Sequence, residues 1–316
     1  MRRVALIYNP ASGQHSWRRH AAIDKALAVL SEAGVVARAH ETIAPGSAGV
    51  LAEEAVRRGC DTVIACGGDG TVHEVLQSLV GTSVALGVVP LGTANALAAN
   101  LGLHTSPAKA VRKLLTALPV RVSVGQISYR DATDATRSRY FTVTAGVGAD
   151  ALFLSRLNPA LKRRIGYILY LIEGFRVWVT HSFPLFEAAF EERAGAQPRV
   201  ELISELLAVR IRNFGGVLNN FIPGATLHKE GLRLAAFKTR SRFSYFRFLL
   251  ATLFGRATFT REIEVLDAVS VECRPRNGSS PRILVEADGE FLGDLPVRIE
   301  IVPDAITLLI PPNAKP

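Results

Sequence analysis

Gly67-Gly68-Asp69-Gly70-Thr71 is the run whose residue types and order could do chemistry. It follows a short apolar run, Thr62-Val63-Ile64-Ala65-Cys66, and opens a segment with helical periodicity. Glycines there let main-chain N–H groups approach a phosphate with no Cβ in the way. The helix N-terminus adds free donors and partial positive charge. A carboxylate inside such a loop would repel a bare phosphate. Asp69 therefore points to a magnesium-bound phosphate or to a carboxylate aimed at an acceptor hydroxyl. The competing explanation is a tight strand-to-helix turn in which Asp or Thr caps the helix. The run is neither a Walker loop, since it lacks Gly-Lys-Ser/Thr, nor a dinucleotide fingerprint, since it follows the third strand.

Pro90-Leu91-Gly92-Thr93-Ala94-Asn95 repeats the device one strand later, with Thr93 and Asn95 as polar side chains. One such loop is ordinary; two at neighbouring strand ends favour a composite phosphate site. Asn9-Pro10-Ala11-Ser12-Gly13 closes the first strand and reads by itself as a plain turn, and Thr42 after the second strand is a weaker signal. Far downstream, Asp288-Gly289-Glu290 places two carboxylates around a glycine at a strand end. That is an ordinary hairpin turn, or a pair able to hold magnesium or take a proton from an attacking hydroxyl. No Gly-x-Ser-x-Gly elbow, second zinc-ligand histidine after His73-Glu74, or metal-spaced His/Cys cluster accompanies them.

The elements that must position these residues come in two textures. Up to about residue 120, short apolar runs at Val4–Tyr8, Val35–Ala39, Thr62–Cys66 and 84–89 alternate with helical spacing at 18–32, 47–58, 71–80 and from Ala94. That order predicts a parallel sheet with helices on both faces, whose ligands gather at the strands' carboxyl ends. Afterwards strand-like segments dominate, at 120–129, 139–145, 183–191, 199–212, 232–238, 259–273, 282–287 and 297–310, with helices near 163–180 and 243–255. Ala194–Pro198 and Asn277–Pro281 read as hairpin loops. The fold class is thus α/β: an N-terminal parallel-sheet nucleotide-binding domain (1–121) and a C-terminal, mainly antiparallel β-sandwich domain (122–316), whose last strand is able to return to the first domain.

Composition narrows the partners. The 316 residues, 48% hydrophobic, exceed one average core, and the net charge of +9 favours anionic partners or simply solubility. No nucleic-acid module is visible, so nucleic acid is not an expected partner. Cys60, Cys66 and Cys273 form no C-x-x-C pair, which suits a reducing, cytoplasmic setting. The basic start leads into an apolar run too short for a signal peptide, ended by Asn9-Pro10. The nearest membrane-span candidate, 165–180, carries Glu173 and Arg176, which leaves peripheral contact at the inner membrane surface as the membrane option. Phe243–Phe254, apolar and aromatic with Arg242, Arg247 and Arg256 around it, reads either as a buried helix, the favoured reading, or as a lipid-facing surface. Oligomeric state is not readable.

Taken together, these residues resemble the diacylglycerol kinase catalytic family, which includes bacterial lipid kinases and sphingosine and ceramide kinases and is distantly related to NAD kinases. The similarity runs through Asn9–Gly13, Thr42 with Gly46-Ser47-Ala48, Gly67–Val75, Pro90–Leu103, Gly146–Asp150, Gly215-Gly216 to Gly231-Leu232, Asp288–Glu290 and the last strand ending at Pro311. The resemblance implies ATP binding by Asn9, Thr42, Gly67, Gly68, Asp69, Gly70, Thr71, Val72, His73, Glu74, Thr93 and Asn95. It also implies Glu290 as proton acceptor, Asp288 near metal or phosphate, and Asp69 as a further catalytic carboxylate. Two departures stand out: Ala96 replaces an acidic residue, and the family's Asp-Gly beside a structural magnesium reads Lys229-Glu230-Gly231. Such an ion would be held by Glu230 with the Leu227 and Leu232 carbonyls, or lost to competition from Lys229. The expected activity is ATP- and Mg2+-dependent phosphorylation of a lipid hydroxyl of the diacylglycerol, sphingoid or ceramide class. The rivals are a kinase for a soluble acceptor of the NAD kinase type, and a nucleotide- or lipid-binding regulator without turnover.

Overall fold

The computed structural model describes residues 1–13, 19–103, 105–131, 133–156, 167–215, 222–253, 261–276 and 282–314. Two compact units result, one of Met1–Val124 with Asn213–Gly215 and Pro303–Pro316, the other of Gly125–Arg212 with Gly216–Val302.

In the first unit, β1 (Arg3–Tyr8), β2 (Val36–Glu41), β3 (Thr62–Gly67) and β4 (Ala85–Pro90) alternate with α1 (Arg19–Glu32), α2 (Ser47–Arg57) and α3 (Asp69–Leu79), and α4 (Ala96–Asn100) and α5 (Pro107–Leu115) follow. The strands are parallel in the order β2-β1-β3-β4. The end of β16 (Val297–Ile310) joins beside β4, with Thr307 opposite Ala85. β3 is continuously apolar because both its faces are covered: all six residues are buried. Leu6, Ile64, Leu76 and Leu86 are fully buried in this unit's core. The register sets Tyr8 against Cys66 and Gly67 against Pro90, so three loops leave one sheet edge side by side.

β5 (Leu118–Arg130) leads into the second unit, built from β6 (Thr136–Phe141), β7 (Thr144–Val147), α6 (Ala149–Arg156), α7 (Tyr167–Thr180), β8 (Phe186–Glu191), β9 (Arg199–Ile203), β10 (Glu205–Val209), β11 (Leu232–Phe237), α8 (Arg242–Leu253), β12 (Ile263–Ala268), β13 (Ser270–Pro275), β14 (Leu284–Ala287) and β15 (Glu290–Asp294). One antiparallel layer runs β12-β11-β10-β7-β14-β15, and β13-β8-β9 with the start of β16 belong to the other. Phe141, Phe186, Phe190, Leu234 and Val271 are among the residues of their common core.

Two long expected strands are each two. Segment 199–212 breaks at Ser204, where the chain leaves one sheet for the other and the Ser204 hydroxyl donates to the Phe237 carbonyl at 3.1 Å. Segment 259–273 breaks at Val269 in the same way. Apolar patterning is blind to such transfers, because both halves are buried. Ala194–Pro198 does link the antiparallel pair β8 and β9; Asn277–Pro281 lies outside the described residues. All three cysteines are free thiols, and burial pushes those of Cys66 and Cys273 up. No described helix is long and apolar enough to cross a membrane.

Candidate functional site

At the carboxyl edge of the first unit's sheet, the loops hold one another. Gly68 and Gly92 touch backbone to backbone, and a Cβ on Gly92 would lie 2.5 Å from the Gly68 Cα. Only glycine fits that approach. Asp69 reaches across from the first residue of α3: its two carboxylate oxygens accept from the Asn95 and Ala96 N–H groups at 2.9 and 2.7 Å. It thereby caps α4 and clamps the two loops together. Asn95, at φ 52°, folds its amide onto its own loop, accepting from the Gly92 N–H and donating to the Gly92 carbonyl, both at 2.8 Å. Thr93 is exposed and has no hydrogen-bonded partner among the described residues.

The other expected nucleotide residues divide by direction. Asn9 accepts from the Ala11 N–H at 2.9 Å and shapes the first loop. The Thr42 N–H bonds the Tyr8 carbonyl, also at 2.9 Å. Thr71, Val72 and His73 are buried in the first turns of α3. Glu74 accepts from the Gly46 and Ala48 N–H groups at 2.8 and 3.0 Å, bracing the start of α2. Sequence reasoning missed Arg19. Its guanidinium donates to the Ser12 carbonyl and, at 3.1 Å, to the Leu91 carbonyl, tying the first loop to the third. Its buried Nε has no partner among the described residues. The available signal was a basic residue opening the helix just after a glycine loop.

In the second unit, Asp288 and Gly289 form the two-residue turn between β14 and β15, at φ 48° and 86°. Both angles are left-handed, as a type I′ hairpin requires, which is why Asp-Gly stands there. Asp288 is buried and accepts from the Thr142, Val143 and Thr144 N–H groups at 3.0, 2.8 and 3.1 Å. It fills the gap between β6 and β7. Glu290, the residue after the turn, is exposed, and its side chain bonds no described group. Glu286 stands two residues before the turn with no solvent exposure and accepts the Gly289 N–H at 2.8 Å.

Glu286 belongs to a buried acid cluster that the sequence did not reveal. A Cβ on Gly146 would sit 2.4 Å from an Asp150 oxygen and 3.1 Å from a Glu286 oxygen, so the two carboxyls face each other over that glycine. Glu205 accepts from the Ala149 and Asp150 N–H groups at 3.2 and 3.0 Å. Burial pushes Asp150 up to about 6, against the opposing effect of the neighbouring Glu286 carboxyl. Burial, with the Asp150 charge added, raises Glu286 and Glu205.

The expected structural magnesium finds no matching ligand set. The Leu227 carbonyl accepts from Arg210 Nη2 at 3.2 Å, and the Lys229 and Gly231 carbonyls accept from Nη1 at 3.1 and 2.6 Å. Glu230 is exposed, and Leu232 starts β11 opposite Ala268. Lys229 turns outward to both Asp267 oxygens. No described cluster of three His, Cys, Asp or Glu side chains could hold an ion. The residues here do not fit a magnesium ion.

The chain thus joins a glycine-looped parallel unit to a two-layer antiparallel unit. The diacylglycerol kinase catalytic domain matches residues 3–127, and the YegS C-terminal NAD kinase beta sandwich-like domain matches residues 142–310. A diacylglycerol kinase of Mycobacterium tuberculosis (strain ATCC 25618 / H37Rv) is 30% identical over 83% of this chain and 80% of its own length. One of Bacillus subtilis (strain 168) is 27% identical over 94% of this chain and 92% of its own. Among solved structures, a diacylglycerol kinase from Bacillus anthracis superposes with TM-score 0.71 at 20% identity, covering 99% of this chain and 98% of that one. A yeast NADH kinase shares the fold at TM-score 0.54 and 10% identity, over 98% and 83% of the two chains. The chain belongs to the diacylglycerol kinase family and is an enzyme of the lipid-kinase class.

Proposed function

We propose that this kinase transfers the γ-phosphoryl group of ATP to the free hydroxyl of a diacylglycerol, with Glu290 as the proton acceptor. The observation that carries the reading is the state of the three candidate carboxylates. Asp69 and Asp288 each spend both oxygens on main-chain N–H groups, while Glu290 is exposed and unengaged among the described residues. A base must offer a free oxygen. In this reading the acceptor oxygen attacks the γ-phosphorus, its proton passes to Glu290, the bond to the β–γ bridging oxygen breaks, and ADP leaves. The glycine loops, with Thr93 and Arg19, bind and orient the phosphates. Magnesium arriving with ATP neutralises charge on the phosphates.

Phosphorylation at a bilayer needs peripheral contact, and the aromatic face of α7 and α8 supports it. Phe175, Trp178 and Val179 on one helix, and Phe243, Phe246 and Leu250 on the other, follow helical spacing. Phe175 and Phe243 are 65% and 64% exposed. The Trp178 ring lies 5.7 Å from that of Phe175 and 5.5 Å from that of Phe246. Arg176, Arg242 and Arg247 are exposed on the same helices. Aromatic residues beside arginines suit the interface of an anionic bilayer. The favoured expectation of a buried helix describes only the inner side of α8, where Tyr245 stacks on Phe237 at 4.8 Å and Phe248 is buried.

The test offers diacylglycerol, a sphingoid base and ceramide with labelled ATP and reads product mass. Diacylglycerol is the expected acceptor. Glu290→Gln should lower kcat at least about a hundredfold with the unfolding midpoint unchanged; full activity in that variant removes Glu290 from the mechanism.

A further inference from the structure

We infer that the Arg210 guanidinium is a built-in cation that replaces a structural metal in the second unit, so that this unit folds without a divalent ion. Arg210 follows β10 and is 1% exposed. It donates to the Leu227, Lys229 and Gly231 carbonyls at 2.6 to 3.2 Å, which gathers the loop before β11 around one positive charge. Burial lowers its pKa to about 10, which leaves it charged at neutral pH.

The geometry separates guanidinium from metal. Magnesium requires oxygen ligands at about 2.0–2.1 Å in a near-octahedral shell. A planar fork of N–H donors instead takes carbonyls at hydrogen-bond distance along an arc, as these three are. The only carboxylate of the loop, Glu230, is exposed, and Lys229 is paired with Asp267 at 2.9 Å. Lys229 therefore does not compete for the loop interior; the charge inside comes from Arg210, just after the preceding strand. A metal and Arg210 would share the Leu227 carbonyl oxygen and would repel each other. The guanidinium is also covalently attached, so no chelator can remove it.

The experiment uses the full chain without nucleotide, so its outcome does not depend on which acceptor or base the kinase uses. Thermal unfolding is recorded in EDTA and in millimolar magnesium chloride, and Mn2+ binding is followed by electron paramagnetic resonance. The expected result is the same midpoint in both buffers and no bound Mn2+. An ion present at a hundred times its dissociation constant would raise the midpoint by roughly 5–10 °C; that rise, or stoichiometric Mn2+, overturns the inference. Arg210→Met keeps the length and removes the charge, and should lower the midpoint by several degrees in either buffer. Should it not fold, the wild-type comparison decides alone. A wild-type midpoint in Arg210→Met would also overturn the inference.

Discussion

Replacing Asp150 with asparagine should stabilise the second unit above pH 6 and leave it unchanged or slightly weakened near pH 4. Asp150 titrates at about 6 in the fold against an ordinary 3.8. Between those values the folded chain keeps a proton that the unfolded chain has released, so stability falls as pH rises through the window and levels off above it. About two pH units at 1.36 kcal/mol each amount to roughly 3 kcal/mol. Asparagine removes that penalty and still offers Glu286 an amide oxygen. It forfeits about 0.3–1 kcal/mol of favourable charge in the first turn of α6. The net gain above pH 6 is therefore about 2 kcal/mol. Losing the Asp150 charge also eases the upward push on Glu286, which adds in the same direction. The assay is urea unfolding from pH 4 to pH 8 in a Trp17→Phe background. This leaves Trp178, in the second unit, as the sole tryptophan of the chain's two. Subtracting wild type from variant cancels carboxylates with the opposite sign, such as Glu191 and Glu264, which their hydrogen-bond partners hold low. A flat difference, or a variant less stable at pH 8 than at pH 4 relative to wild type, refutes the reasoning.

Gly92→Ala places a Cβ 2.5 Å from backbone that cannot swing aside; affinity for a non-hydrolysable ATP analogue should fall at least about tenfold with the fold retained. Unchanged calorimetric affinity would mean that the paired loops are not the phosphate site. Phe175→Ser with Phe246→Ser should release the protein from vesicles containing phosphatidylglycerol. Sedimentation should show a loss of about tenfold or more, while turnover of diacylglycerol in detergent micelles persists. Equal binding by variant and wild type, or equal binding to neutral vesicles, discards the aromatic face.

The parallel unit was legible because its signals are local. Continuous apolar strands, glycine turns and helical spacing lie in one stretch of chain, and Gly67–Thr71 sits at a strand end as its order predicts. The behaviour of Asp69 was not legible. Its partners, Asn95 and Ala96, are 26 and 27 residues away, and the side chain that looked ready for metal or substrate spends itself on their N–H groups. The same holds for Asp288, whose N–H donors lie some 145 residues upstream. A motif read along the chain shows a carboxylate but not what it already binds.

That difference separates the three acids. A carboxylate surrounded by main-chain N–H groups is held in place and occupied, so it can fix a loop but is poorly suited to take a proton. One with open oxygens is less constrained and available. Asp-Gly-Glu combines both kinds two positions apart: Asp288 anchors the turn to the β6–β7 junction, Glu286 accepts the Gly289 N–H, and Glu290 is left exposed just after the turn. Arg210 follows the same logic with opposite charge. A cation engaged by three carbonyls organises a loop as a metal would, and its position 17 to 21 residues upstream of those carbonyls hides it from any reading of that loop alone.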